Sequence, residues 1–393
     1  AAHRALDQHP LVLACGGHPH HLAVDRSRLG HLRLADADPA ELCRRVRAAG
    51  GTLAVAPDLL ATAAATAPAP GAALPVVAPP DVPPGTAGLI SVVLCTRDRP
   101  EHLARCLASL SALADDHHEI IVVDNHERPT VDPTALPARA RVVHEPRRGL
   151  DVARNRGLAE ATGTVVAYVD DDCEVDPHWL TALRVGFADA QVQAVTGRVR
   201  PASLATPSQR WFEAHFSFDR GPHAQRFTPW DRRPWYPMWS GGIGAGCNMA
   251  FRRDELLAAG GFDEALDMGT RIGGGGDLDA FVRVLDRGSV IAYRPDALVW
   301  HHHRATERDV TRQFLGYGVA VGALLAKSVL HRPGHRLTAV RFFVDRLRIG
   351  VRLARASRSG AHGLPVRLVV VDLLGQLAGP LVYLAVGARS SAP

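Results

Sequence analysis

Apolar and polar positions alternate in blocks through the middle of the chain. Leu89–Leu94 is a short β-branched apolar run, and Pro100–Leu113 follows with Leu103, Leu107 and Leu110 at helical spacing. Glu119–Asp124 predicts a buried strand, Arg141–His144 a shorter one and Asp151–Ala161 a helix. Thr164–Val169 predicts another buried strand, Pro177–Phe187 another helix and Gln193–Val199 an extended segment. Strands that do not alternate, separated by helices, predict a doubly wound, mostly parallel α/β sheet covered on both faces. Ligands of such sheets bind beyond the carboxyl ends of the strands. Three polar clusters fall there: Thr96-Arg97-Asp98, Asp124-Asn125 and Asp170-Asp171-Asp172.

The flanks read differently. Residues 1–64 predict a small α/β appendage, with a strand-like run at Leu11–Cys15, a helix near Pro39–Ala49 and an apolar run at Leu53–Ala56. Residues 65–87 are rich in Ala, Pro and Gly and nearly uncharged, which is linker composition. At the other end, residues 306–393 predict a helical region. Leu337, Val340, Val344, Leu347 and Val351 recur at steps of three and four, while Arg341, Asp345, Arg348, Arg352 and Arg355 fall on another face. A second apolar stretch, Leu368–Ala388, carries Asp372, Gln376 and Pro380, which argue against a bilayer span. An interfacial hairpin on an anionic membrane is one reading. Packing on the α/β core, or on a second subunit of a homodimer, is the other.

Composition narrows the function classes. With 393 residues, 47% hydrophobic and 22% charged, the chain is neither disordered nor collagen-like nor a multi-span membrane protein. The net charge of +5 is uneven. From His301 onward 14 Lys and Arg face 4 Asp and Glu, a balance of +10, so the first 300 residues carry −5 and nucleic acid is not an expected partner. Lys327 is the only lysine among 45 basic residues, a bias typical of a GC-rich genome. Cys15, Cys43, Cys95, Cys106, Cys173 and Cys247 form no CxxC or zinc spacing, which predicts free thiols and a reducing compartment.

Tyr168-Val-Asp170-Asp171-Asp172 ends a buried strand. Side chains two apart in an extended chain share a face, so Asp170 and Asp172 are expected to face one pocket with Asp171 turned away. Such hard oxygen ligands suit Mg²⁺ or Mn²⁺; a solvated acidic turn is the bland alternative. Taken in order, Cys95-Thr-Arg-Asp-Arg-Pro, Ile121-Val-Val-Asp124-Asn125, Gly149-Leu-Asp-Val-Ala-Arg-Asn155 and Tyr168–Asp172 resemble the consecutive motifs of family 2 glycosyltransferases with the GT-A fold, over roughly residues 88–305. The resemblance implies a nucleotide-sugar donor. It places Thr96, Arg97 and Asp98 against the nucleotide, and Asp124 with Asn125 at the base or ribose. It sets Gly149, Arg154 and Asn155 by the diphosphate, and maps the DxD motif to Asp170, Asp171 and Asp172. A strand-end turn is the alternative for Asp124-Asn125.

Gly241–Arg252 resembles the family's acceptor-side strand, with Gly246 and Asn248 as acceptor contacts; a flexible loop feeding a strand is the alternative. In Gly273-Gly-Gly-Gly276-Asp277-Leu-Asp279 the family usually reads Glu-Asp, and the aspartate is the general base of an inverting transfer. Here Gly276 stands for the glutamate and Asp277 is retained. Asp277 also suits an N-cap of a helix Leu278–Arg287, and Asp279 is the second candidate base. After a strand Ser289–Tyr293, His301 and His303 in Trp300-His-His-His-Arg304 are candidate metal or diphosphate contacts, against a solvated histidine run. Trp211, Trp230, Trp235 and Trp239 cluster with arginines, which suits either an acceptor lid, Trp239 included, or the packing of a long loop.

The expected function is therefore an inverting, metal-dependent glycosyltransferase using Mg²⁺ or Mn²⁺. Its acceptor would be a glycan, a lipid-linked molecule or a small molecule, and its place cytoplasmic or peripheral on the inner membrane face. A sugar nucleotidyltransferase is the rival enzyme, disfavoured because Cys95–Pro100 lacks a phosphate-binding glycine. A degenerate sugar-binding module is the rival without catalysis.

Overall fold

The structure, a computed structural model, describes residues 88–231, 236–238, 240–267, 269–359 and 363–390, preceded by three short strands. These are β1 (Leu11–Ala14), β2 (His21–Val24) and β3 (Ala54–Val55), which form an antiparallel sheet in that order. The helix expected near Pro39–Ala49, the 65–87 linker, Cys15, Cys43, Trp235 and Trp239 lie outside the described residues.

The main sheet is built from β4 (Ile90–Thr96), β5 (His118–Asp124), β6 (Ala140–His144), β7 (Val165–Asp170), β8 (Cys173–Val175), β9 (Val192–Pro201), β10 (Gln225–Phe227), β11 (Asn248–Arg252) and β12 (Val290–His301). Its order is β10-β12-β9-β11-β7-β4-β5-β6, with β8 also on β12. β4 runs parallel to β5 and β7, β5 to β6, and β9 to β12. β11 is antiparallel to β7 and β9. This is the mixed α/β, mostly parallel arrangement expected, with antiparallel insertions that the hydrophobic pattern did not reveal. The strand expected at Ser289–Tyr293 continues to His301, and its far end pairs with β8 so that His301 lies opposite Cys173.

Both faces are covered. Ile90, Val92 and Leu94 of β4 pack on one side with Leu110 of α1 (Pro100–Ser111) and with Trp179 and Leu183 of α3 (Trp179–Gly186). Val93 and Tyr168 pack on the other side with Phe251 and Phe281. Between α1 and α3 in the chain lies α2 (Leu150–Glu160), pressed so closely on β4 that a Cβ at Gly157 would sit 2.3 Å from Val93 Cγ1. The remaining helices of the sheet-bearing region are α4 (Pro207–His215), α5 (Arg253–Ala258) and α6 (Gly276–Asp286).

The C-terminal region is helical, as expected: α7 (Glu307–His331), α8 (Arg336–Arg358) and α9 (Val366–Ser390). The hydrophobic pattern did not single out α7, which is apolar around most of its circumference. α7 docks on the sheet-bearing region through Phe314 against Phe212 and through Val319 and Ala323 against Leu266 and Ile272. α9 crosses α7 at Gly318, Gly322, Gly375 and Gly379, where added Cβ atoms would strike the opposing backbone. Among the described residues two helices, Glu307–His331 and Val366–Val386, are long and apolar enough to cross a membrane.

Candidate functional site

The carboxyl ends of β4, β5 and β7 converge. Thr96, last in β4, donates its hydroxyl to Asp171 Oδ2 at 2.8 Å, and Arg99 Nη1 donates to Asp171 Oδ1 at 3.0 Å and Asp172 Oδ2 at 3.3 Å. Asp171 is thus turned inward against the end of β4, where burial pushes its carboxyl up to about 6 against the pull of Arg99. Asp98 holds a left-handed φ of 54°, a conformation Asp tolerates, and its exposed carboxylate lies 3.3 Å from His126. Arg97 Nη1 donates to the Asn125 carbonyl at 2.7 Å.

Asp124 is fully buried at the end of β5 and accepts from the Thr130 and Val131 N–H groups and the Thr130 hydroxyl. It organises the loop beyond the strand. The asparagines behave alike. Asn125 Nδ2 donates to the Glu145 and Arg147 carbonyls, and its Oδ1 accepts from Gly149 N–H. Asn155 pairs with both main-chain groups of Phe262, and its Nδ2 also reaches Glu264. Asn248 donates to the Arg198 and Ala297 carbonyls and accepts from Trp179 Nε1. An amide carries donor and acceptor side by side, so it can clip backbone segments together. In all three residues both amide N–H groups are spent inside the protein. The N-terminus of α2, expected beside the diphosphate, already faces an anion. The Asp267 carboxylate accepts from Leu150, Asp151 and Val152 N–H, and a Cβ at Gly149 would strike it.

The acidic triplet divides its work. Asp170 closes β7 with a 28% exposed side chain and reaches Arg154 Nη2 at 3.3 Å. Burial pushes Asp170 up against the pull of Arg154. Burial would also raise Asp172, but neighbouring cations, Arg304 and Arg99 among them, outweigh it and hold it below the usual range. Arg304 Nη2 lies 3.1 Å from Asp172 Oδ2.

Behind Asp172 runs a buried chain of hydrogen bonds. His301 Nδ1 meets His303 Nδ1 at 2.8 Å, and His303 Nε2 meets Glu213 Oε2 of α4 at 2.9 Å. Burial drives His301 down to about 3, so it is neutral near pH 7. In the tautomer with the proton on His303 Nε2, donating to Glu213, His303 Nδ1 accepts from His301 Nδ1–H. His301 Nε2 then carries a bare lone pair facing Asp172 Oδ1 at 3.5 Å. Two acceptors so placed fit a cation between them. Cys173 Sγ belongs to the same group of potential ligand atoms, which lie within 4.8 Å of one another. Burial holds its thiol well above the usual value, which suits a hard divalent ion poorly. His303, a candidate ligand by sequence, has both ring nitrogens occupied and sits one step behind His301.

At the expected acceptor side Gly273, Gly274 and Gly275 all have positive φ, and α6 begins at Gly276 with Gly275 as its cap. Asp277 is therefore in the first turn and is not the N-cap expected. Its Oδ2 accepts from Gly246 N–H at 2.8 Å. Arg154 Nη2 donates to the Gly246 carbonyl at 3.2 Å, while its Nη1 reaches Asp151 at 3.1 Å. One buried guanidinium thus joins Asp170, Asp151 and the Gly246 peptide, which in turn holds Asp277. Burial pushes the Asp151 carboxyl up to about 8, Arg154 opposing. Asp279, the second candidate base, is enclosed by Arg283 at 2.7 Å, Lys327 at 2.9 Å and Arg332 at 2.6 Å, and ties α6 to α7. Sequence reasoning missed Arg99, Asp151, Glu213, Asp267 and Arg304. Arg99, Asp151 and Arg304 lie within the motif segments, and Asp151 carried a further signal, a carboxylate three residues before Arg154 on one helix face.

Residues 91–257 match the family described as Glycosyl transferase family 2. The chain is 30% identical over 256 residues to the succinoglycan biosynthesis protein ExoM of Rhizobium meliloti (strain 1021), covering 61% of this chain and 75% of that one. It is 29% identical over 294 residues to the pre-mycofactocin glycosyltransferase of Mycobacterium tuberculosis (strain ATCC 25618 / H37Rv), covering 68% of this chain. The match spans only 58% of that relative's length. Among solved structures, the mannosyltransferase PcManGT from Pyrobaculum calidifontis in complex with GDP-Man and Mn²⁺ is 18% identical with a TM-score of 0.47, covering 76% of this chain and 89% of that one.

Proposed function

This chain belongs to glycosyl transferase family 2, and on that premise we propose that it moves a sugar from a nucleotide-diphosphate donor to an acceptor hydroxyl with inversion. The observation that carries this is the Arg154 bridge. It links Asp170, at the end of β7, to the Gly246 peptide that holds Asp277. A donor-side carboxylate and a candidate base are thereby fixed relative to each other. Asp170, Asp172 and His301 would hold Mg²⁺ or Mn²⁺, which when bound supplies positive charge to the departing nucleoside diphosphate. Arg99 and Arg304, with side chains 38% and 31% exposed, stand on the other oxygen of Asp172 and can hold diphosphate oxygens. Thr96, Arg97, Asp98 and Asp124 shape the loops that would seat the nucleotide. Asp277 accepts the acceptor's proton as its oxygen attacks the anomeric carbon.

Melting temperatures against UDP, GDP, dTDP and their sugar conjugates, with MnCl₂ or with EDTA, test the reading. A rise with one nucleotide only when Mn²⁺ is present is the expected result. Donor binding without turnover would favour a degenerate module. Pyrophosphate release from a nucleoside triphosphate and a sugar phosphate would favour a nucleotidyltransferase.

We further propose peripheral membrane contact through the C-terminal helices. Leu374, Leu377, Leu381 and Leu384 of α9 are exposed, as are Leu337, Val340, Val344 and Val351 of α8, whose Arg341, Arg348, Arg352 and Arg355 are also exposed. Anionic lipid adds about 1 kcal/mol per arginine near its surface. The chain is expected to sediment with phosphatidylglycerol vesicles but not with phosphatidylcholine vesicles, and to be released by high salt. Equal binding to both would remove the electrostatic part.

A further inference from the structure

We propose that Asp151 is a positioning residue of the transfer site, its carboxylate set from α2 into the space that a side chain at position 276 would fill. The inference rests on the transferase reading above. An ideal Cβ at Gly276 would lie 1.9 Å from Asp151 Oδ2 and 2.5 Å from Asp151 Cγ. The carboxylate cannot swing aside freely. Asp151 is 2% exposed, its Oδ1 holds Arg154 Nη1 at 3.1 Å, and its own N–H is bound by Asp267. A side chain at 276 and a carboxylate at 151 therefore exclude each other. The glutamate that the family resemblance leads one to expect at 276 is absent, and a carboxylate reaches the same volume from another element.

The consequence for the site follows from the arms of Arg154. By engaging Nη1, Asp151 fixes the plane of the guanidinium. Nη2 is then left to bridge Asp170 at 3.3 Å and the Gly246 carbonyl at 3.2 Å. The Gly246 N–H in turn donates to Asp277 at 2.8 Å. There is no Cβ at Gly246 to disturb the contact; one would lie 2.7 Å from Arg154 Nη2 and 2.8 Å from Asp277 Oδ2. Without Asp151 the guanidinium can rotate, and the spacing between Asp170 and Asp277 is no longer fixed. Asp151 touches neither reacting group and acts through Arg154.

The test is a swap in the full chain: Gly276→Glu, Asp151→Gly and the double variant, with Asp151→Asn as the conservative control. Melting temperatures are measured, together with Mn²⁺-dependent nucleoside diphosphate release from UDP-glucose, GDP-mannose and the donor that gives a thermal shift. Gly276→Glu alone should melt about 2–10 °C below the parent through overpacking, and the double variant should recover most of that loss. Asp151→Gly should lower kcat by about 10–100-fold with KM for the donor little changed, as for lost supporting contacts elsewhere. Asp151→Asn, which keeps an oxygen for Arg154, and the double variant should each regain turnover. Two results overturn the proposal. In one, the double variant melts no higher than Gly276→Glu. In the other, it is as stable as the parent yet turns over no faster than Asp151→Gly, so that Asp151 merely fills space. A parent chain with no turnover on any donor would instead sink the transferase reading, and the positioning role with it.

Discussion

Replacing Asp277 with asparagine is expected to lower kcat by about 10²–10⁴-fold, the usual contribution of a positioned general base, while the melting temperature holds. The asparagine Oδ1 can still accept the Gly246 N–H that Asp277 Oδ2 accepts at 2.8 Å. The local hydrogen bond therefore survives. What is lost is the ability to take a proton. Removing one negative charge beside Asp170 and Asp151 also relieves like-charge crowding around Arg154. The substitution also removes the attraction of Asp277 for Arg154, so the two effects oppose and stability should stay about level. An unchanged donor KM with a reduced kcat would assign Asp277 to the chemical step. A fully active, folded Asp277→Asn protein would place the base elsewhere.

The second large effect is on stability. Asp279→Ala should cost about 3–5 kcal/mol, the range for breaking a buried ion pair from one side. Asp279 is fully buried and meets Arg283, Lys327 and Arg332, the last two on or just after α7. Its removal leaves three cations around an empty site. Chemical denaturation measures the loss, and turnover per folded molecule at low temperature should be retained. A catalytic Asp279 would show the reverse pattern. The pH dependence has a definite sign. Burial would raise the carboxyl, but Lys327, Arg332 and Arg283 outweigh it and hold it below the usual range. Its stabilisation is complete above an unfolded-state pKa of about 3.9 and is lost as pH falls through the lower folded value. Asp279→Ala should therefore lack that part of the acid-induced loss.

These two aspartates, two positions apart on one helix, look interchangeable as a sequence pattern. Only the packing of α7 against α6 separates them. The same holds for the asparagines. Their placement in motif segments was legible, but their partners were not. Asn155 finds its main-chain partner in Phe262, 107 residues away, and Asn125 reaches Gly149 across 24. His301 and His303 could be paired on one face by strand alternation. That His303 stands behind His301 depended on Glu213, 90 residues from His303.

By itself the sequence determined the strands that carry the site. It set the acidic triplet at a strand's carboxyl end, the basic helical C-terminus and the family, because strand and helix periodicity and short motifs are local properties of the chain. The tertiary structure alone decided which carboxylate faces which cation. Thr96 meets Asp171 across 75 residues, and Arg154 meets Gly246 across 92. It alone brought Asp151 into the place left by Gly276. Such pairings depend on how closely α2, α6 and α7 approach the sheet and one another. That approach is fixed by side-chain volume in a close-packed interior, and no local pattern along the chain records it.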